Sequence, residues 1–225
     1  MLNRIGIMSE LRERDPNELV QPIILRIDKE DPSTEDEGLS AVARAAVIAY
    51  LKDPHNPDWQ LWADQAFAKS VRRANPKMFA KVLELFPEAM VSEVGKAQAV
   101  GLPPLPANDL PKLIAKLQVS GTQLPKSDEI LGSALTIVLN DSLEMSTGKA
   151  AAQSAHALFA WLTQADPVRI EGWLAAKAPV GIRHLGTGEF MQLSEHAAGP
   201  VIQDAGRTEI EPGSITAFVF DTQAG

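Results

Sequence analysis

Apolar residues along the chain fall into two kinds of pattern, short β-branched runs and longer stretches with helical spacing. Gln21–Ile27 (QPIILRI) is isoleucine-rich and predicts a strand, closed by the acidic stretch Asp28–Asp31. Residues 31–38 (DPSTEDEG) predict a loop into an alanine-rich helix over Ser40–Leu51, with Val42, Ala46, Ile48 and Ala49 on its apolar side. Pro54 and Pro57 end that helix, and Asp58 predicts the cap of another, from Trp59 to about Arg73, with Trp62, Ala66 and Ala68 facing inward. Lys77–Leu85 fits helix or strand. Asp109 predicts the start of a short helix through Leu117, with Pro111 tolerated in its first turn, and Gly121–Asp128 (GTQLPKSD) reads as a linker.

Beyond the linker, Leu135–Leu139 predicts a buried strand, Asn140–Gly148 a loop, and Lys149–Leu162 a helix. A second helix is expected over Pro167–Ala176, anchored by Trp173. Val180–His184 predicts a strand, the stretch from Gly186 through His196 a short polar segment, and Pro200–Asp204 and Ile215–Asp221 two strands separated by the turn residues 211–214. Strands interleaved with helices and closing on a hairpin predict an α/β fold, a mixed sheet covered by helices in α/β/α layers. The expected division is an accessory region over residues 1–125, a linker over 126–132 and a second domain over 133–225, with the first region α/β or mainly helical. PIILRID (22–28) followed by AVARAAVIAYL (41–51) parallels LTIVLND (135–141) followed by AQSAHALFAWL (152–162), so the first region is a candidate diverged repeat of the second.

Composition then narrows the chemistry. In 225 residues, 45% hydrophobic, there is no cysteine, which excludes disulfides, thiol nucleophiles and thiolate zinc sites and suits a reducing, cytoplasmic setting. The four histidines are far apart and form no HExxH pair, so a metal site has little support. No apolar run is long enough for a membrane helix, and the first residues lack a signal-peptide pattern, so no membrane partner is expected. The net charge of −8 argues against a broad nucleic-acid surface. Residues 1–133 hold 16 Lys and Arg against 19 Asp and Glu, and residues 134–225 hold 5 against 10, so any nucleic-acid contact has to be local.

Two segments carry candidate chemistry. In the helix over 149–162, Lys149, Gln153 and His156 fall within roughly 60° of one another, with Ala151, Ala155, Leu158, Phe159 and Leu162 opposite them as the core side. A polar stripe of this kind is either a solvated face or a site. Gly148 lies next to the first turn, and Lys149 inside it, of a helix entered from a strand, where amide N–H groups, the helix dipole and an ammonium converge on anionic or carbonyl oxygen. Ala150 follows the Gly-Lys pair where a Walker loop needs Ser or Thr, which excludes that motif. Asp204 closes an apolar strand just before Gly206, where it either serves a site at a strand end or bonds turn amides.

Together GKAAAQSAHA (148–157) and DAGRTEIEPGSIT (204–216) resemble the paired motifs of the type-2 peptidyl-tRNA hydrolases, over about ninety residues from Leu135 to Phe220. That resemblance implies hydrolysis of the ester joining a peptide or N-blocked amino acid to the 3′ end of tRNA, with peptidyl-tRNA as partner, no cofactor and a possible homodimer. It implies Lys149, Asp204 and Thr208 as catalytic residues and Gly148, Gln153, His156, Arg207 and Thr216 as substrate-binding ones. Either Asp204 or His156 would be the general base, with Lys149 and the helix amides stabilising an oxyanion. Glu144 and Thr147 stand where the family usually has lysine, and Glu209 where it usually has glutamine, which weakens phosphate contacts. Lys69, Arg72, Arg73, Lys77 and Lys81 offer compensation or simply form a solvated helix end. A non-catalytic binding module, or an esterase acting on another N-acyl ester, is the alternative on the same fold.

Overall fold

A computed structural model describes residues 18–65, 67–127, 131–204 and 209–223. The first half runs β1 (Leu19–Arg26), α1 (Glu35–Lys52), α2 (Pro57–Asp64), β2 (Ala68–Ala74), α3 (Pro76–Leu85), β3 (Val91–Val94), β4 (Ala97–Gly101), β5 (Leu105–Pro106) and α4 (Lys112–Ala115). The second half runs β6 (Leu135–Asn140), a 3-10 turn (Asp141–Leu143), α5 (Thr147–Gln164), α6 (Pro167–Ala175), β7 (Gly181–Leu185), α7 (Thr187–Ser194), β8 (Ile202–Gln203) and β9 (Ile215–Asp221). The α/β class expected from the sequence is the one observed.

Each half forms its own mixed sheet, and the two have matching strand order: β2-β1-β4-β3, with β5 added beside β1, and β7-β6-β9-β8. The senses match as well. β1 is parallel to β2 and antiparallel to β4, as β6 is parallel to β7 and antiparallel to β9. The last pair is antiparallel in both sheets. Both first helices have 18 residues and a hydroxyl N-cap, Thr34 for α1 and Ser146 for α5.

Alternation along the strands explains the layers. Ile23 and Leu25 of β1, Ile137 and Leu139 of β6, and Ala217 and Val219 of β9 point into a central core shared by the halves. Ile24 points the other way, onto Phe79 and Val82 of α3. Val138 and Phe218 likewise point onto Phe190 of α7. Helices α1 and α5 pack against each other between the two sheets, α1 also touching β7 and α5 also touching β2. Close approach of α1 to its sheet depends on Gly101, where a Cβ would lie 2.3 Å from the carbonyl oxygen of Ala45. Around Phe159 of α5 gather Tyr50, Trp59, Trp62 and Phe67 of the first half, with ring centroids 5.1–5.9 Å away.

Three local expectations are corrected. The helix expected from Trp59 to Arg73 stops at Asp64. Phe67 takes a left-handed φ of 51°, and Ala68–Ala74 becomes β2 because it pairs in parallel with β1 from Val20 to Arg26. Trp62 is buried as expected, Ala68 is a half-buried strand residue, and Ala66 lies outside the described residues. The helix expected over Asp109–Leu117 shrinks to one turn, because Pro111 serves as its cap without a side-chain hydrogen bond. The polar segment 186–196 contains α7, whose Phe190 is fully buried. Lys77–Leu85 resolves to helix α3, entered by Asn75 as N-cap and Pro76 at its first position. Segment 86–102, for which no element was expected, forms the β3–β4 hairpin.

Polar ties also cross between the halves. Ser40 Oγ donates to the Val180 carbonyl at 2.8 Å, and Arg44 donates to that of Lys177 at 3.2 Å. His184 Nε2 lies 2.9 Å from Asp36 Oδ1, with Asp141 3.5 Å from its Nδ1. The hydrogen bond to Asp36, reinforced by the charges of Asp36, Asp141 and Glu35, raises the His184 pKa from 6.5 against the opposing effect of burial. Protonated His184 is therefore favoured by the fold. Its stabilisation is fully present below about pH 6.5 and fades as pH rises through the raised value. The gap in melting temperature between the wild type and His184→Gln is expected to be wider at pH 6 than at pH 9. An equal gap at both would remove the ionic contribution.

Candidate active site

The site assembles at the end of the second sheet where β6 and β8 both finish. β6 leads through the 3-10 turn and Glu144, whose φ of 47° turns the chain, into α5. Ser146 caps α5 by accepting from the Lys149 amide at 3.3 Å, which places Lys149 in the first turn beside the helix amides. Asp204 follows β8. Its backbone is locked to the next turn, donating to the Ser214 carbonyl at 2.9 Å and accepting from the Gly213 amide at 2.7 Å.

Side chains from three elements meet there. Lys149 Nζ donates to Asp204 Oδ1. Gln153 Nε2 donates to the same oxygen at 2.9 Å, and Thr216 Oγ1 of β9 donates to Gln153 Oε1 at 2.9 Å. The Lys149 and Asp204 side chains are only 10% and 7% exposed, and Gln153 and Thr216 are buried, so the polar stripe of α5 is not a solvated face. Ala151, Ala155, Leu158, Phe159 and Leu162 are buried on the opposite side, as the helical spacing predicts. A carboxylate held by an ammonium and an amide, next to a helix N-terminus, places a proton acceptor and stabilisers of negative charge at one spot.

Other expected site residues have varied positions. His156 stands one turn beyond Gln153, with its Nδ1 3.5 Å from Lys69 Nζ. Burial first, then the nearby charges of Lys69 and Lys149, push its pKa well below 6.5. Gly148 lies under the segment 119–122, where a Cβ would meet Thr122 and the Val119 carbonyl at 3.7 Å. Arg207 and Thr208 lie outside the described residues. Of the basic cluster, Arg72 donates to the carbonyls of Ile114 and Leu117, and Arg73 to Gln118 and the Gly121 carbonyl. Lys69 points to the interior, so these three form no common cationic surface.

Sequence reasoning missed three contacts. Glu209 accepts from the Ser146 amide at 3.0 Å and from its hydroxyl at 2.6 Å, tying the turn after Asp204 to the start of α5. Thr147 donates to Glu35 of the first half at 2.6 Å and accepts from the Leu124 amide at 3.4 Å. A cleft of about 360 Å³, lined by Glu35, Asn140, Asp141, Glu144, Met145 and His184, opens beside the Lys149–Asp204 pair rather than on it. Among the described residues no cluster of three or more His, Asp and Glu is placed to hold a metal ion, and no helix is long and apolar enough to cross a membrane.

Comparison with known proteins bears on the second half. The family model "Peptidyl-tRNA hydrolase PTH2" matches residues 133–222. Over 107 residues the chain is 30% identical to a peptidyl-tRNA hydrolase of Sulfurisphaera tokodaii, covering 39% of this chain and 84% of that one. Over 90 residues it is 32% identical to the peptidyl-tRNA hydrolase of Methanococcus maripaludis strain C6, covering 36% of this chain and 78% of its relative. The chain belongs to the PTH2 family. No solved structure matches it. The PTH2 match begins two residues before β6 and ends one residue after β9, so the Lys149–Asp204–Gln153–Thr216 array falls wholly within it, while Glu35 and Lys69 fall outside.

Proposed function

We propose that the protein hydrolyses the ester bond between a peptide, or an N-blocked amino acid, and the 3′ end of tRNA. The observation that carries this reading is the buried array in which Asp204 Oδ1 accepts from both Lys149 and Gln153 at the start of α5. Family membership supports it through the second half alone. In this mechanism Asp204 orients a water and takes its proton as the oxygen attacks the ester carbonyl. The Lys149 ammonium and first-turn amides of α5 stabilise the tetrahedral oxyanion. Its collapse breaks the bond to the ribose oxygen of the tRNA end, and Asp204 returns its proton to that leaving oxygen. Gln153, held by Thr216, keeps the Asp204 carboxylate in place. Thr208 and Arg207, which follow Asp204 in the sequence, would act on the water or on the tRNA end.

The first half enters this proposal as a diverged copy without catalysis. The matching strand order of the two sheets supports that reading. Counted from the N-caps, Glu37, Ala41 and Arg44 of α1 stand where α5 has Lys149, Gln153 and His156. No ammonium and no amide remain at the first two of those positions. The role proposed for this half is to pack on α5 and border the site.

Release of N-acetyl-amino acid from N-acetyl-aminoacyl-tRNA tests the activity directly. Wild-type protein is expected to release it. Lys149→Ala, which removes the ammonium from the oxyanion position, is expected to lower kcat by about 10²–10³-fold. A folded wild type without activity would overturn the reading.

A further inference from the structure

Lys69 is a lysine of the first half whose ammonium faces the second. It rises from β2, which pairs with β1 and packs against α5. Its Nζ stands 3.5 Å from the ring centroid of Phe67, 4.4 Å from Trp62 and 4.9 Å from Phe159. The remaining polar neighbour is His156 Nδ1, at 3.5 Å. Among the described residues no acidic side chain forms an ion pair with it.

We propose that Lys69 is a positioning residue of the hydrolytic site: it donates to His156 Nδ1, so that the imidazole stays neutral and carries its proton on Nε2. The inference rests on the hydrolase reading above for its function, and on geometry for its chemistry. An ammonium has three N–H donors and no acceptor. Aromatic faces attract N–H groups and repel lone pairs, so a nitrogen enclosed by three rings directs donors at them and at the one ring nitrogen within reach. A lone pair thus committed at Nδ1 fixes the tautomer and ring orientation of His156. The histidine then presents a donor from the stripe of α5 that carries Lys149 and Gln153, suited to a ribose hydroxyl or phosphate oxygen at the tRNA end. It cannot serve as the base, because the proton-bearing nitrogen has no lone pair to offer. That role falls to Asp204.

Electrostatics favour the neutral imidazole: desolvation, then the charges of Lys69 and Lys149, lower the pKa of His156. Desolvation also lowers the pKa of Lys69 well below 10.5, and the three ring faces oppose that by stabilising its ammonium. Among the described residues those two lysines, one from β2 and one from α5 itself, are the charged groups that act on the imidazole. Supplying Lys69 from outside the matched family segment gives the first half a stake in the chemistry it does not itself perform.

Nitrogen-15 NMR of the wild-type protein reads the tautomer without any substitution. The expected result is neutral His156 protonated on Nε2 from pH 8 down to pH 6; the Nδ1-protonated tautomer, or a positive charge above pH 6, overturns the proposal. Lys69→Met keeps an apolar stem among the rings. In that variant His156 should titrate closer to the ordinary range, and an unchanged titration overturns the proposal. Its kcat/KM for N-acetyl-aminoacyl-tRNA should fall about 10–100-fold, mostly in kcat. If Lys69 acts through His156, the double variant with His156→Ala loses no more than His156→Ala alone, and additive losses overturn the proposal. Wild-type inactivity would sink the hydrolase reading instead, and the NMR results would still decide the tautomer and the Lys69 contact.

Discussion

Asp204→Asn is expected to reduce kcat/KM for N-acetyl-aminoacyl-tRNA by about 10²–10⁴-fold, the range a general base contributes. An amide has nearly the shape of the carboxylate, and its oxygen still accepts from Gln153 and Lys149 where Asp204 Oδ1 does now. What disappears is the charge and the basicity. Lys149, with a side chain 10% exposed, loses its anionic partner at that position, and removing one partner of a buried ion pair costs about 3–5 kcal/mol. The variant should therefore unfold at lower temperature as well as lose activity, so single-turnover rates have to be taken at a temperature where circular dichroism shows it folded. Asp204→Ala removes the acceptor too and should lose at least as much of both. Activity unchanged in a folded Asp204→Asn protein would remove Asp204 from the chemistry and leave the ion pair a purely structural role.

The largest expected effect on stability lies at Phe159. Its side chain is fully buried on α5 and meets four rings of the first half, so Phe159→Ala opens a cavity in the joint between the two sheets. Truncating a buried Phe destabilises by about 3–5 kcal/mol, a range that already includes the loss of its ring contacts. For a chain of this size about 1 kcal/mol moves the melting temperature by about 2–4 °C, so a fall of about 6–20 °C is expected by calorimetry. Because the central core is continuous through both halves, the unfolding of the wild type should be one transition. A shift below about 2 °C would mean that the rings do not hold the halves together.

Local signals settled much of this protein. The isoleucine-rich run over Gln21–Ile27 and the β-branched run at Leu135–Leu139 mark β1 and β6 because strands buried on both faces read as continuous apolar stretches. Helix α5 and its buried side follow from a 3.6-residue period, and the same period puts Lys149, Gln153 and His156 on one stripe. Turn chemistry at residues 211–214 separates β8 from β9. Within those elements side-chain chemistry is set by near neighbours, which is why a stripe and a strand-end carboxylate are visible without coordinates.

Partners distant in sequence were not visible. Ala68–Ala74 has lysine and arginines that suit a helix, yet it is a strand because β1 offers seven consecutive pairing positions. Lys69 was counted among surface cations, although its ammonium enters an aromatic enclosure built by α2, α5 and the turn at Phe67. Glu35, Asp36 and Glu209 gave no local sign that they would meet Thr147, His184 and Ser146. By itself, then, the sequence determined the elements whose periodicity is strong and the α/β class, and it nominated candidate residues for chemistry. Only the tertiary structure decided which of them meet, that two similar sheets enclose one pair of helices, and that a lysine of the first half reaches the histidine of the second. The reason is physical: periodicity and capping act within a few residues, whereas the Lys69–His156 contact spans 87 positions and exists only once both sheets have packed on α1 and α5.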